Sequence, residues 1–400
     1  MNRNRLFFAS CISLIVTAMT FAIRAGILGQ LGTDFELNNT QLGFINSMAF
    51  YGFPVATVLG GLLYNSLGPK KIMFGAFVFH LLGLLLTIFA TGFWGLLIST
   101  FFIGFANGCV EAGANPMIAE MYKEDKSTWL NKFHVWFPGG IVIGALTSAL
   151  MTNFGLGWQL QIATMLVPTA IYAFLLFGQQ FPQTEELEAD TKTNLKAIFT
   201  SPLFIFMAFC MTLTATTELG TQQWVEKILG NAGAHPMLIL AMITGLMAIG
   251  RFFAGPVIHR LNPSGVLFGS ALIATVSLVL MSQATGAMVY IAAILFAIGV
   301  MYFWPTMLGF VSEYLPQTGA LGLGVMGAAG MFATALWQPV IGGWLDAEKA
   351  KALASGVSES AAQLAAGQAT LDNLAIFPAI LILAFGALYF FMRKRKVTHD

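Results

Sequence analysis

Long apolar runs broken by short polar turns repeat along the whole chain. The pattern predicts helices near 6–29, 40–64, 70–91, 94–121, 131–152, 158–179, 202–228, 236–258, 263–283, 286–312, 319–345 and 373–392. About 20 apolar residues span a hydrocarbon core of roughly 30 Å, and in lipid a helix satisfies its own backbone polar groups. The expected class is therefore all-α and integral to a bilayer, with twelve transmembrane helices. The first run follows Arg3 and Arg5 and imitates a secretory leader, and Phe8-Ala-Ser-Cys11 resembles a lipoprotein cleavage box. Few apolar residues precede Cys11, however, and the run continues to about Leu28, so it reads as an uncleaved first helix.

The polar breaks contain an internal echo. Gly61-Leu-Leu-Tyr-Asn65-Ser-Leu67-Gly68-Pro69-Lys70-Lys71-Ile-Met-Phe74-Gly75 returns 194 positions later as Gly255-Pro-Val-Ile-His-Arg260-Leu261-Asn-Pro263-Ser-Gly-Val-Leu-Phe268-Gly269. Gly, Leu, Pro, Phe and Gly match in register, and the offset is close to half the 400 residues. This predicts two pseudo-symmetric six-helix bundles, 1–180 and 201–400, joined by a linker at 181–200 that is acidic first (Glu185, Glu186, Glu188, Asp190) and then carries Lys192 and Lys196. The linker reads as a solvated tether. Two similar halves in a membrane are the usual plan of a secondary transporter, with the solute held between them.

Composition agrees. Only 9% of residues are charged and 57% are hydrophobic, against roughly 25% charged in soluble domains, and the mean hydropathy is +0.77. Lipid is thus the main partner, and a net charge of +1 gives no footing for nucleic acid. The three cysteines (Cys11, Cys109, Cys210) have neither zinc-site nor disulfide spacing. No nucleotide-binding motif and no nucleophile–base constellation appears, so neither ATP-driven transport nor an enzyme is expected, and no cofactor or metal. Fourteen of the 19 Lys and Arg residues fall on one side of the predicted spans. By the positive-inside rule both termini are then cytoplasmic, in the inner membrane of a bacterium. Residues 346–372, on the outer side, are rich in Ala, Ser and Gln. They read either as a short amphipathic helix on the membrane surface, since Leu353, Val357, Ala361 and Leu364 recur at helical spacing, or as a flexible loop.

The turn after Gly61 resembles the signature of the major facilitator superfamily, Gly-x-x-x-Asp-Arg-x-Gly-x-Arg/Lys-Arg/Lys, read here as Gly61, Asn65, Ser66, Gly68, Lys70 and Lys71. The acidic and first basic positions are replaced, while the glycines and the Lys pair remain. The resemblance implies that Gly61, Asn65, Gly68, Lys70, Lys71, Gly255 and Arg260 belong to the cytoplasmic gating turns. Gly108-Cys-Val-Glu111-Ala-Gly-Ala-Asn115-Pro116 is in turn similar to the fucose–galactose–glucose:proton symporter family, which places a proton-carrying acid a turn before Asn-Pro in helix 4. That role maps onto Glu111. The family also has an acid in helix 1, where this chain has Arg24, and a cation there is more familiar from branches that carry organic anions.

Ionisable groups inside a bilayer cost roughly 2.5–3.5 kcal/mol on insertion scales and need a partner or a task. Glu111 is suited to take a proton from one side and release it on the other, because burial disfavours a carboxylate. Arg24 either pairs with Glu111 when the site is empty or binds an anionic solute through its planar fork. In helix 7, Thr214, Thr217, Glu218, Thr221 and Gln222 step by three and four and share a face, suited to a polyol, and Trp224 follows. Helix 7 is expected to be interrupted near Gly220. Arg251, near the end of helix 8, reads as a brace, and His80 and His134 as packing residues. Trp136, Trp224 and Trp304 offer flat faces, and Asn46, Asn115 and Gln338 offer amides, although Asn115 alternatively only satisfies backbone freed by Pro116. The expectation is a monomeric, proton-coupled importer of a sugar or sugar-like polyol working by alternating access. The alternatives are a symporter of an organic anion, such as a sugar acid, held by Arg24, and a non-transporting sensor.

Overall fold

The computed structural model describes residues 1–122, 129, 132–182 and 191–393. Eleven helices among them are long and apolar enough to cross a membrane: α1 Arg3–Asp34, α2 Asn39–Tyr64, α3 Ser66–Ile88, α4 Phe93–Ile118, α5 Lys132–Asn153, α6 Trp158–Leu176, α7 Pro202–Gln223, α9 Arg260–Gln283, α10 Ala287–Val311, α11 Leu321–Ala354 and α12 Glu359–Arg393. The shorter apolar helix Pro236–Phe252 is α8 and completes the twelve. α1–α6 are called the first bundle and α7–α12 the second. Close approach inside the first bundle rests on small residues: a Cβ on Gly104 would lie 2.2 Å from the Ala49 carbonyl oxygen, which draws α4 against α2.

The echo in sequence is also an echo in backbone. The first turn of α3 is kinked at Gly68, φ 71°, ψ 162°, and the first turn of α9 at Asn262, φ 54°, ψ 163°. Those positions are equivalent under the 194-residue offset, and each precedes a proline that bars the helical conformation. Glycine adopts positive φ freely. Asn262 gains a compensating role, accepting the Gly265 N–H at 3.0 Å and the Ser264 hydroxyl at 2.9 Å and so capping α9.

The first bundle is stiffened by a closed polar chain. Asn107 Nδ2 donates to Thr20 Oγ1 (3.0 Å), so its oxygen accepts from His80 Nε2 (2.8 Å) and leaves Nδ1 to accept the Tyr172 hydroxyl (2.9 Å). His80 is fully buried and every ring nitrogen is used. His80→Leu would strand the Asn107 oxygen and the Tyr172 hydroxyl. We expect it to cost about 2–4 kcal/mol, visible as a melting temperature several degrees lower in detergent.

Two expectations change. The segment 346–372 is neither a separate surface helix nor a loop: α11 runs on to Ala354, α12 begins at Glu359, and only the turn between them is non-helical. The Lys349–Glu359 pair and the Asn231–Gln363 hydrogen bond (2.7 Å) fix this hairpin. Within the linker, Thr191–Thr200 is a helix rather than an open tether, and residues 183–190 lie outside the described part.

The two bundles meet most tightly on the face opposite the N terminus. A Cβ on Gly342 would sit 2.1 Å from the Asn39 carbonyl oxygen, and one on Gly43 2.5 Å from that of Gln338. Asp346, two turns before the end of α11, accepts four hydrogen bonds of 2.8–3.0 Å from the backbone and side chains of Asn39 and Thr40. It thereby caps the start of α2, where free N–H groups favour a carboxylate. The far face is therefore closed, while His134 and Trp136 are exposed toward the N-terminal face.

Candidate functional site

α1 carries Arg24 to the plane between the bundles. Only 5% exposed, its guanidinium donates to Gln223 Oε1 of α7 at 2.8 Å. It lies over the rings of Phe21 and Phe50, 5.1 and 5.8 Å from their centroids, a cation–π arrangement that gains strength away from water. Arg24 makes no ion pair with an acid among the described residues, and its Nε–H has no protein partner. Phe21, Phe50, Leu219, Met331 and Ala335 form one apolar cluster from both bundles, with Trp304 and Phe137 against it. Nearby, Trp224 Nε1 donates to Gln338 Oε1 at 2.9 Å, while Gln338 Nε2 and both amide atoms of fully buried Asn46 lack protein partners. The centre thus combines a cation, unused amide groups and aromatic faces.

The expected Arg24–Glu111 pair is not formed. Glu111, half-buried on α4, accepts from Asn115 Nδ2 at 2.6 Å, and Arg24 is committed to Gln223. Asn115 does not serve the backbone freed by Pro116 but bonds side chains on either side of it, Glu111 and, at 3.0 Å, His134. Trp136, two residues beyond His134, is 40% exposed.

The polar face of helix 7 is the larger correction. The interruption expected near Gly220 is a π-helical turn, Thr216–Gly220. Such a turn inserts one residue and rotates the downstream part of the helix by about 100°. Gln223 consequently meets Arg24 of α1, and Trp224 turns to Gln338 of α11. Thr221 and Gln222 line a space inside the second bundle with Val225, Leu240 and Ile243. The hydroxyls of Thr214, Thr217 and Thr221 donate to backbone carbonyls in the preceding turn. Glu218 meets Arg251 at 3.3 Å, and Arg251 also donates to the Met301 carbonyl at 2.8 Å, tying α7, α8 and α10. The hydroxyl protons of these three threonines and one oxygen of Glu218 are thus already engaged within the second bundle. Gln223, Phe21 and Phe50 were missed because a regular helical wheel cannot register an inserted residue or say which neighbour a face meets. The two turns expected to gate are on the N-terminal side, with Gly61, Lys70, Lys71 and Arg260 exposed; the side chain of Asn65 and the surroundings of Gly255 lie outside those described.

A family model, Major Facilitator Superfamily, matches residues 7–338. The chain belongs to that superfamily. By its spans it is a multi-pass membrane protein, and it spans about a third of the length of the first curated relatives it matches. Relatives of this facilitator differ in cargo. The gentisate transporter of Corynebacterium glutamicum is 22% identical over 330 residues, 76% of this chain and 73% of that protein. Myo-inositol transporter 1 of Candida albicans is 26% identical over 176 residues, 43% of this chain and only 32% of that protein. Among solved structures, a bacterial homologue of the human lysosomal transporter Spinster superposes with a TM-score of 0.83 at 13% identity, covering 99% of both chains. That likeness establishes the fold alone.

Proposed function

We propose that this facilitator is a proton-coupled importer of an organic anion with a flat apolar body, working by alternating access between residues 1–180 and 201–400. The observation that carries the reading is Arg24: a buried guanidinium between the bundles, with no acid paired to it among the described residues and two aromatic rings beneath it. A carboxylate would supply the missing counter-charge and accept from Nε, while the apolar body packs among Phe21, Phe50, Phe137 and Trp304. Gln338 and Asn46 offer further hydrogen bonds to ring substituents. Similarity to a gentisate transporter over three-quarters of the chain supports the same class. Glu111, half-buried on the open side without a cation partner among the described residues, carries the coupled proton. The distribution of basic residues supports cytoplasmic termini in an inner membrane. A monomer suffices, since both walls of the site come from one chain.

A polyol cargo is the second reading, favoured by the similarity to a myo-inositol transporter. A thermal-shift panel separates the two, because stabilisation follows mass action when a ligand binds only the folded state. Purified protein is tested with gentisate, benzoate, gluconate, D-xylose and myo-inositol at pH 6 and pH 8. Stabilisation by the aromatic acids is expected. A response to the neutral polyols alone would replace the anion reading. In proteoliposomes, Glu111→Gln should abolish pH-driven accumulation of the hit while keeping exchange; retained accumulation would remove Glu111 from the coupling role.

A further inference from the structure

Glu111 is one end of a three-residue chain. Asn115, one turn further along α4, donates from Nδ2 to the carboxylate, and its Oδ1 lies 3.0 Å from Nε2 of His134 at the start of α5. A side-chain amide has one donor end and one acceptor end. With the NH2 committed to Glu111, the oxygen can only accept, so His134 presents Nε2–H. The opposite polarity suits a protonated Glu111: its O–H donates to the amide oxygen, the NH2 turns to His134, and Nε2 offers a lone pair. The trio has two self-consistent arrangements, and His134 sits at the end that water reaches, being exposed on the open side.

We propose that His134 is a positioning residue for proton release: by donating from Nε2 it holds the Asn115 amide with its NH2 on Glu111, and so favours the carboxylate while the far face is closed. The consequence for transport rests on Glu111 being the coupling acid; the hydrogen-bond polarity does not. Among the described residues, four charged or titratable groups on the surrounding elements are engaged elsewhere. Arg24 of α1 is bonded to Gln223, and Tyr64 of α2 donates to Glu120 at 3.2 Å. His80 of α3 is bonded to Asn107 and Tyr172, and Lys132, beside His134, lies 4.3 Å from the Trp129 ring centroid.

Carbodiimide modification tests this without any solute. The protonated carboxyl adds across a C=N bond of N,N′-dicyclohexylcarbodiimide, its proton passing to nitrogen, and the O-acylisourea rearranges to a stable N-acylurea that peptide mass spectrometry locates. The full-length protein in detergent is labelled at neutral pH, with Glu111→Gln defining zero at that site. His134→Leu should be labelled at Glu111 about threefold faster than wild type or more, and Asn115→Ala likewise. His134→Gln, whose amide still donates, should stay near wild type. Unchanged labelling in His134→Leu and Asn115→Ala would overturn the proposal. Equal acceleration in His134→Leu and His134→Gln would do the same, since the donor would then be irrelevant. Retained accumulation by Glu111→Gln in proteoliposomes would instead remove the coupling role and leave the labelling result intact.

Discussion

Replacing Arg24 with methionine raises the melting temperature of the empty protein and abolishes its response to organic anions. Both effects have one cause. A buried guanidinium loses its hydration, and here no carboxylate repays that loss; the compensation is a single hydrogen bond to Gln223 and two ring faces. Methionine fills similar space without a charge, so the empty bundle is relieved. The anion, in turn, loses its counter-charge and a charge-assisted hydrogen bond. Such bonds are worth about 1.5–3 kcal/mol, or roughly tenfold to more than a hundredfold in affinity. Arg24→Lys keeps the charge but not the fork, and should weaken binding by about tenfold. Thermal-shift titrations with gentisate and benzoate on the three proteins check this. A methionine variant that melts lower and binds unchanged would mean that Arg24 is a structural strut.

The second large effect concerns closure of the far face. Gly342→Val places carbon where the Asn39 carbonyl oxygen now is, since even a Cβ would lie 2.1 Å away. Backbone cannot retreat there, because Asp346 holds Asn39 and Thr40 only one turn further along. The variant should populate states open at the far face. Asn46→Cys provides the readout, as Asn46 is fully buried behind that closure and the native cysteines are buried. Maleimide labelling of Asn46→Cys should accelerate at least about tenfold when Gly342→Val is added, which corresponds to a shift of about 1.4 kcal/mol between states. Asp346→Ala should give a smaller rise. Equal labelling with and without Gly342→Val would mean the contact does not govern access.

Much of this architecture was legible in the residues. Apolar run length marked the spans, because lipid leaves the backbone no alternative to the helix. The Gly61 and Gly255 echo marked equivalent turns, and the matching backbone of Gly68 and Asn262 gives that echo its physical basis. Helical spacing at 353–364 was legible, but hydropathy hid that α11 and α12 themselves run on into this segment. Its Ala, Gln, Glu and Lys are too polar to span but are strong helix formers. In the site, Arg24 and Glu111 stood out as charges among apolar residues, yet their partners did not. Gln223 lies 199 positions from Arg24, and pairing at that distance is set by tertiary packing. The polar face of α7 was misdirected by one inserted residue at Thr216–Gly220.

The hairpin also changes how this molecule can be seen. Most of its surface would be swallowed by a detergent belt, leaving little relief by which to orient particle images. From Asp346 to Ala354, nine helical residues carry the chain about 13 Å beyond its apolar stretch, braced by a second helix and turning at Gly356. A small rigid domain fused across that turn would ride on two helices rather than on a tether, giving each image an asymmetric landmark on one side of the bilayer.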